Sequence, residues 1–85
     1  MSELLKLINI GKQVEQQLLQ VGIDTPEKLK ETGSKQAWLK IKAIDPSACY
    51  NRLCALEGAI QGIRWHHLKE GVKQELKEFY NNFKL

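Results

Sequence analysis

Apolar residues recur along this chain at steps of three and four, between short punctuation signals, and no stretch alternates strictly enough to form a strand. The pattern predicts an all-α fold, a compact bundle of about five helices, in a single domain over residues 1–85. A short first element carries Leu4, Leu5, Leu7 and Ile8 and stops at Asn9. Asn9 is read as the N-cap of the next helix, from about Ile10 to Val21, with Val14, Leu18 and Val21 on one face. Gly22 is placed just beyond its end, where a left-handed backbone is free of side-chain strain, and Ile23 is expected in the core.

The next start is marked by Asp24 or Thr25 as cap, with Pro26 in the first helical position, and Gly33 is the stop. Ser34 is expected to cap a helix whose buried stripe is Ala37, Trp38, Ile41 and Ile44. Asp45-Pro46-Ser47 repeats the cap-and-proline signal and opens a helix to about Gly62. Cys49, Leu53, Leu56, Ile60 and Ile63 form its stripe, and it is expected to be central to the core. Beside that stripe lie Ala55, Gly58, Ala59 and Gly62. A glycine inside a helix costs about 1 kcal/mol relative to alanine, so close approach of another helix is the expected compensation. Ile63–Leu68 reads as a connector with Trp65 packed. The last helix, from about Lys69 to Asn82, carries Val72, Leu76, Phe79, Tyr80 and Phe83 on one face.

Composition narrows the function more than the fold. Hydrophobic residues make up 42% of the 85 and charged residues 27%, an ordinary globular balance that argues against disorder. A net charge of +3 is a mild bias, and the local excess noted is Lys35, Lys40 and Lys42, with no acid between Glu31 and Asp45. No apolar run approaches bilayer length, and Glu3 sits where a signal peptide carries bases, so no membrane association and a cytoplasmic location are expected. Cys49 and Cys54, five residues apart, fall roughly 140° apart around a helix and read as reduced, packed thiols. His66 and His67 are the only histidines, and adjacent residues rarely chelate one ion, so no metal is expected. No nucleophile-and-base set, phosphate loop or zinc-protease motif occurs, so a binding module is expected, with no enzyme activity, cofactor or small-molecule substrate.

The turn through Asn9, Ile10, Gly11 and Lys12 is the candidate binding element. The amides that open a helix lack helical acceptors and point outward with the positive end of the helix dipole. Gly11 leaves room for an anion and Lys12 adds charge, which together suit a phosphate. Lys6, Lys35, Lys40 and Lys42 are the candidate supporting bases. The competing reading is a plain turn, with Asn9 as cap, Gly11 as turn former and Lys12 solvated.

The segment resembles the helix–hairpin–helix motif, in which a hydrophobic residue lies between two glycines; here Asn9, which tolerates the left-handed conformation, takes the first glycine's place. Asn9-Ile10-Gly11, then Val21-Gly22-Ile23-Asp24-Thr25-Pro26-Glu27-Lys28-Leu29, then Leu56-Glu57-Gly58-Ala59-Ile60-Gln61-Gly62-Ile63-Arg64-Trp65 together resemble the C-terminal domain of the TfoX (Sxy) competence-regulator family. The stretch from Ala55 to Trp65 is the most specific part, and the match covers nearly the whole chain in order. The resemblance implies a helical domain of the helix–hairpin–helix or SAM-like kind, linked to regulation of natural DNA transformation. Full-length members carry an N-terminal domain as well, so this chain reads as a stand-alone version. The expected partner is DNA or another nucleic acid, held through its backbone. The alternative is a protein partner or self-association through Leu39, Tyr80, Phe83 and Leu85.

Overall fold

A computed structural model describes residues 3–83, and all regular structure among them is helical. A 3-10 turn, Glu3–Lys6, precedes α1 (Lys12–Gln20), α2 (Pro26–Thr32), α3 (Ser34–Ile44) and α4 (Tyr50–Gln61). A second 3-10 turn, Trp65–His67, leads into α5 (Glu70–Asn82). Helix α4 is the hub, as its apolar pattern predicts: α2, α3, α5 and the second 3-10 turn all pack on it.

Leu4, Leu18, Leu29, Trp38, Ile41, Leu53, Leu56 and Leu76 are all fully or almost fully buried, and each falls on a stripe legible in the sequence or at the centre of a short helix. Ile23 joins them, as expected. It does so through a double hydrogen bond at the end of α1, in which the Ile23 amide reaches Leu18 O at 2.8 Å and the Gly22 amide reaches Leu19 O at 3.2 Å. Gly22 takes φ +85°, so the glycine there answers a backbone requirement. Thr25 caps α2, accepting from the Lys28 amide at 3.1 Å, with Pro26 first in the helix.

Five local expectations are corrected. Asn9 does not cap α1; the helix opens two residues later than expected, with Gly11 in the cap position and no side-chain cap bond. Ser34 does not cap α3. It is the first residue of that helix, behind a left-handed Gly33, and its buried hydroxyl donates to Glu57 Oε1 on α4 at 2.6 Å. The Asp45-Pro46-Ser47 signal does not open α4 either. Asp45 folds back on its own turn and accepts from the Ser47 amide at 3.0 Å, and the helix begins at Tyr50. Cys49, read as a packed core thiol, is therefore exposed at the helix start, and Ile44, read as buried, is 48% exposed. Cys54 is buried as expected, and burial pushes its thiol pKa up.

Asp45 also accepts from Gln17 Nε2 at 2.7 Å and from Arg52 Nη1 at 2.9 Å, which ties α1, the α3–α4 turn and α4 together. The bonds from Ser47, then Arg52, then Gln17 hold the Asp45 carboxyl well below the usual carboxylate range. A carboxyl depressed on folding stabilises the fold above its unfolded value of 3.8 and loses that contribution as pH falls toward its folded value. Urea midpoints are expected to decline steadily below about pH 4, and the Asp45→Asn variant should show a shallower decline. Parallel acid limbs for the two proteins would show that the network contributes nothing.

Candidate nucleic-acid interface

The hairpin between the first 3-10 turn and α1 is built around one residue with an unusual backbone. Asn9 has φ +71°, the one non-glycine residue with positive φ among those described, so it supplies the left-handed geometry expected of it. The chain reverses tightly there. The Leu7 amide bonds Leu4 O at 3.0 Å and the Ile10 amide bonds Leu7 O at 3.3 Å. Ile10 is buried, and with its amide bonded it is not one of the open donors, contrary to the sequence reading.

The open end of α1 therefore lies one residue further on. Glu15 is the first residue of the turn whose amide bonds back within it, to Gly11 O at 2.9 Å. Gly11, Lys12 and Gln13 precede it and are exposed, and nothing lies within 4 Å of the place a Gly11 side chain would occupy. Glu15, the acid of this first turn, is buried, which leaves Lys12 as the charge the turn shows to solvent. Lys12 forms no ion pair among the described residues.

The side chain of Asn9 is turned away from any anion and into the fold. Its Nδ2 donates to Ile63 O at 2.9 Å and to Ala55 O at 3.4 Å. This explains the small-residue strip of α4. The face of Gly58 is met by the Asn9 amide and by the backbone of residues 63–65, where the sequence had suggested another helix. Gly62, at φ +78°, ends α4, with the Ile63 amide on Gly58 O at 2.9 Å and the Gly62 amide on Ala59 O at 3.3 Å. Those bonds fold the chain back so that the Arg64–Lys69 segment starts beside the hairpin.

Of the four supporting lysines, Lys6, Lys35 and Lys42 have partners of their own. Lys6 faces Glu3 at 3.8 Å across an exposed pair. Lys35 bonds Glu75 at 2.9 Å and lies 5.6 Å from the Phe79 ring centre, and Lys42 bonds Pro46 O at 3.0 Å over the Trp38 ring. Lys40 is exposed on α3. A basic residue whose backbone adjoins the hairpin was missed in the sequence: Arg64, exposed directly after Ile63, in a stretch without an acid from Gly58 to Lys69 that also carries the exposed Lys69. The signal was present as that acid-free run, but its relevance rests on contacts spanning more than 45 positions.

A cleft of about 380 Å³ opens on another side, lined by Ser34, Lys35, Glu57, Val72, Glu75 and Leu76 among others. Its polar groups answer one another: Lys35 pairs with Glu75, while Glu57 accepts from Ser34 and from Gln61 Nε2 at 2.6 Å. Of the apolar residues expected to serve a protein partner, Leu39 and Tyr80 pack against the core, Phe83 is 45% exposed, and Leu85 lies outside the described residues. Among the described residues no helix is long and apolar enough to cross a membrane, and no three His, Cys, Asp or Glu side chains converge as metal ligands would.

Two solved structures are closely similar. One, described as an uncharacterized protein from Listeria monocytogenes in a triclinic crystal form, is 54% identical with a TM-score of 0.92, over 93% of this chain and 90% of its own. The other, a protein of unknown function from Listeria monocytogenes in a tetragonal form, is 52% identical with a TM-score of 0.94, over 96% of this chain and 100% of its own. No curated protein matches the chain. The family model of the TfoX C-terminal domain matches residues 1–80, in agreement with the resemblance carried by the hairpin and by the Ala55–Trp65 stretch, and the chain belongs to the TfoX C-terminal domain family.

Proposed function

We propose that this domain is a non-enzymatic, competence-associated regulatory module that holds a nucleic-acid backbone phosphate at the start of α1. The observation that carries the reading is the exposure of Gly11, Lys12 and Gln13 directly after a left-handed turn, with Lys12 unpaired among the described residues. Unsatisfied amides at a helix start, aligned with the dipole and joined by a lysine, suit a phosphate oxygen. The binding elements are Gly11, Lys12 and the Gln13 backbone. Asn9 and Ile10 shape the turn without touching the ligand. Such contacts position a protein on DNA or RNA without reading bases.

Fluorescence anisotropy with a labelled duplex and the matching single strand tests this. The logarithm of affinity for both is expected to fall linearly with the logarithm of salt concentration, with a slope near −0.9 per phosphate engaged on the duplex. Lys12→Glu is expected to weaken binding by about tenfold or more, since it replaces an attraction to phosphate with a repulsion. No binding at low salt, or full affinity in Lys12→Glu, would remove the reading.

A protein-interaction role is the second reading. Phe83 favours it, being 45% exposed at the end of α5 with its ring 4.8 Å from that of Phe79. Light scattering of the wild type and Phe83→Ser tests it, and a monomer at every concentration would count against self-association.

A further inference from the structure

The hairpin does not stand alone on its side of the molecule. Asn9 Nδ2 bonds Ile63 O at 2.9 Å, and a side chain built on Gly58 would meet both Asn9 and Trp65 Cα, so hairpin and second 3-10 turn share one junction. Arg64 follows Ile63 directly. Lys12 is three residues from Asn9, a backbone span of at most about 11 Å. Arg64 and Lys69 are exposed, and neither forms an ion pair among the described residues, whereas Lys6, Lys28, Lys35 and Arg52 all do. Between Arg64 and Lys69 stand the exposed His66 and His67, with the His66 ring stacked on Trp65 at 4.0 Å. The nearest acids in sequence bound this run. Glu57 is held by Ser34 and Gln61, and Glu70 opens α5.

We infer that the Arg64–Lys69 turn is a second phosphate-contacting element, fixed beside the hairpin by Asn9, so that the domain grips a nucleic-acid backbone at two adjoining points. The inference rests on the phosphate-binding reading of the hairpin. Duplex DNA carries a phosphate charge for about every 1.7 Å of axis, so a protein with cations on two adjacent turns engages neighbouring phosphates together. The contribution of Arg64 is the more directional, because its planar guanidinium matches phosphate oxygens in pairs.

The test compares two double variants with equal loss of charge, Arg64→Ala/Lys69→Ala at this turn and Lys30→Ala/Lys77→Ala at exposed sites on α2 and α5, each checked for folding by circular dichroism. Binding to a labelled duplex is titrated across salt concentrations. The first variant is expected to lose about tenfold or more in low-salt affinity and to flatten the salt slope by about two, one for each phosphate contact removed. The second is expected to keep the wild-type slope with a loss of no more than about threefold, as general charge predicts. If the wild type binds and is sensitive to Lys12→Glu, but the two double variants behave alike, the second contact is wrong and the hairpin reading stands. If the wild type does not bind, or binds polyglutamate equally well, the hairpin reading fails and takes this inference with it.

Discussion

Trp38→Ala is expected to lose about 3–5 kcal/mol of stability, enough to leave much of the chain unfolded at room temperature. Trp38 is wholly buried at the centre of α3, with Phe79 and Tyr80 of α5 meeting it edge-on at 6.1 and 5.6 Å. Tyr80 in turn meets Tyr50 of α4 at 5.9 Å, so one aromatic chain joins α3, α4 and α5. Each such pair contributes about 0.5–1.5 kcal/mol beyond the area it buries. The indole Nε1 donates to Cys49 O at 3.1 Å, at the start of α4. Truncation to alanine leaves a cavity too large for three helices to close, while the whole domain has only about 4–13 kcal/mol to lose at its size. Trp38→Phe separates packing from hydrogen bonding. It keeps most of the ring, and the Cys49 carbonyl still accepts from the Arg52 and Leu53 amides, so the loss should be about 1–2 kcal/mol. Urea unfolding followed by far-ultraviolet dichroism decides both. A loss under about 1 kcal/mol for Trp38→Ala would mean that α5 repacks freely over α3, and the aromatic chain would not be the fold's support.

The position of Trp38 was legible because core burial leaves a local trace, the three- and four-residue step. The same step gave Leu18, Leu53, Leu56 and Leu76, and glycine and proline marked the ends of α1 and α2. What failed were assignments in which one side chain had both a local and a distant option. Asn9, Ser34 and Asp45 are good caps by type, and each was assigned the adjacent helix. In the fold Asn9 serves the end of α4, Ser34 serves Glu57, and Asp45 serves Gln17 and Arg52. A polar side chain near a helix start has a short-range partner available in any sequence, whereas its long-range partner exists only once the chain has folded. Ile44 failed for a related reason. It follows the stripe of α3 by spacing, but it is the helix's last residue, beyond the reach of the neighbouring elements. The candidate site shows the same division: exposure of Lys12 followed from its place at a helix start, while the placement of the segment that begins at Arg64 depends on bonds from Asn9 to positions 55 and 63.

Gly58→Ala is expected to destabilise the domain by about 2–4 kcal/mol, against the usual sign of that substitution within a helix. In an open helix the change gains about 1 kcal/mol, because alanine has less backbone freedom to lose. Gly71, on α5 with nothing within 4 Å of its missing side chain, is the internal comparison, and Gly71→Ala should be neutral or gain up to about 1 kcal/mol. At Gly58 the new carbon would lie 2.5 Å from Asn9 Nδ2, 2.7 Å from Ile63 O and 3.2 Å from Trp65 Cα. The amide of Asn9 can swing aside, at the cost of its bonds to Ala55 and Ile63, but the Ile63 carbonyl is backbone, held by the reversal at Gly62. Both responses pull the hairpin away from the Arg64–Lys69 turn, so loss of stability and loss of nucleic-acid affinity should appear together in this variant. Asn9→Gly distinguishes the two contacts, since glycine keeps the left-handed backbone and removes only the amide. In that background Gly58→Ala should cost less, by about 0.5–1.5 kcal/mol, yet still more than nothing because Ile63 O remains. Strict additivity in thermal or urea unfolding would mean that Asn9 and Gly58 do not press on one another, and the hairpin would then be joined to α4 by the backbone alone.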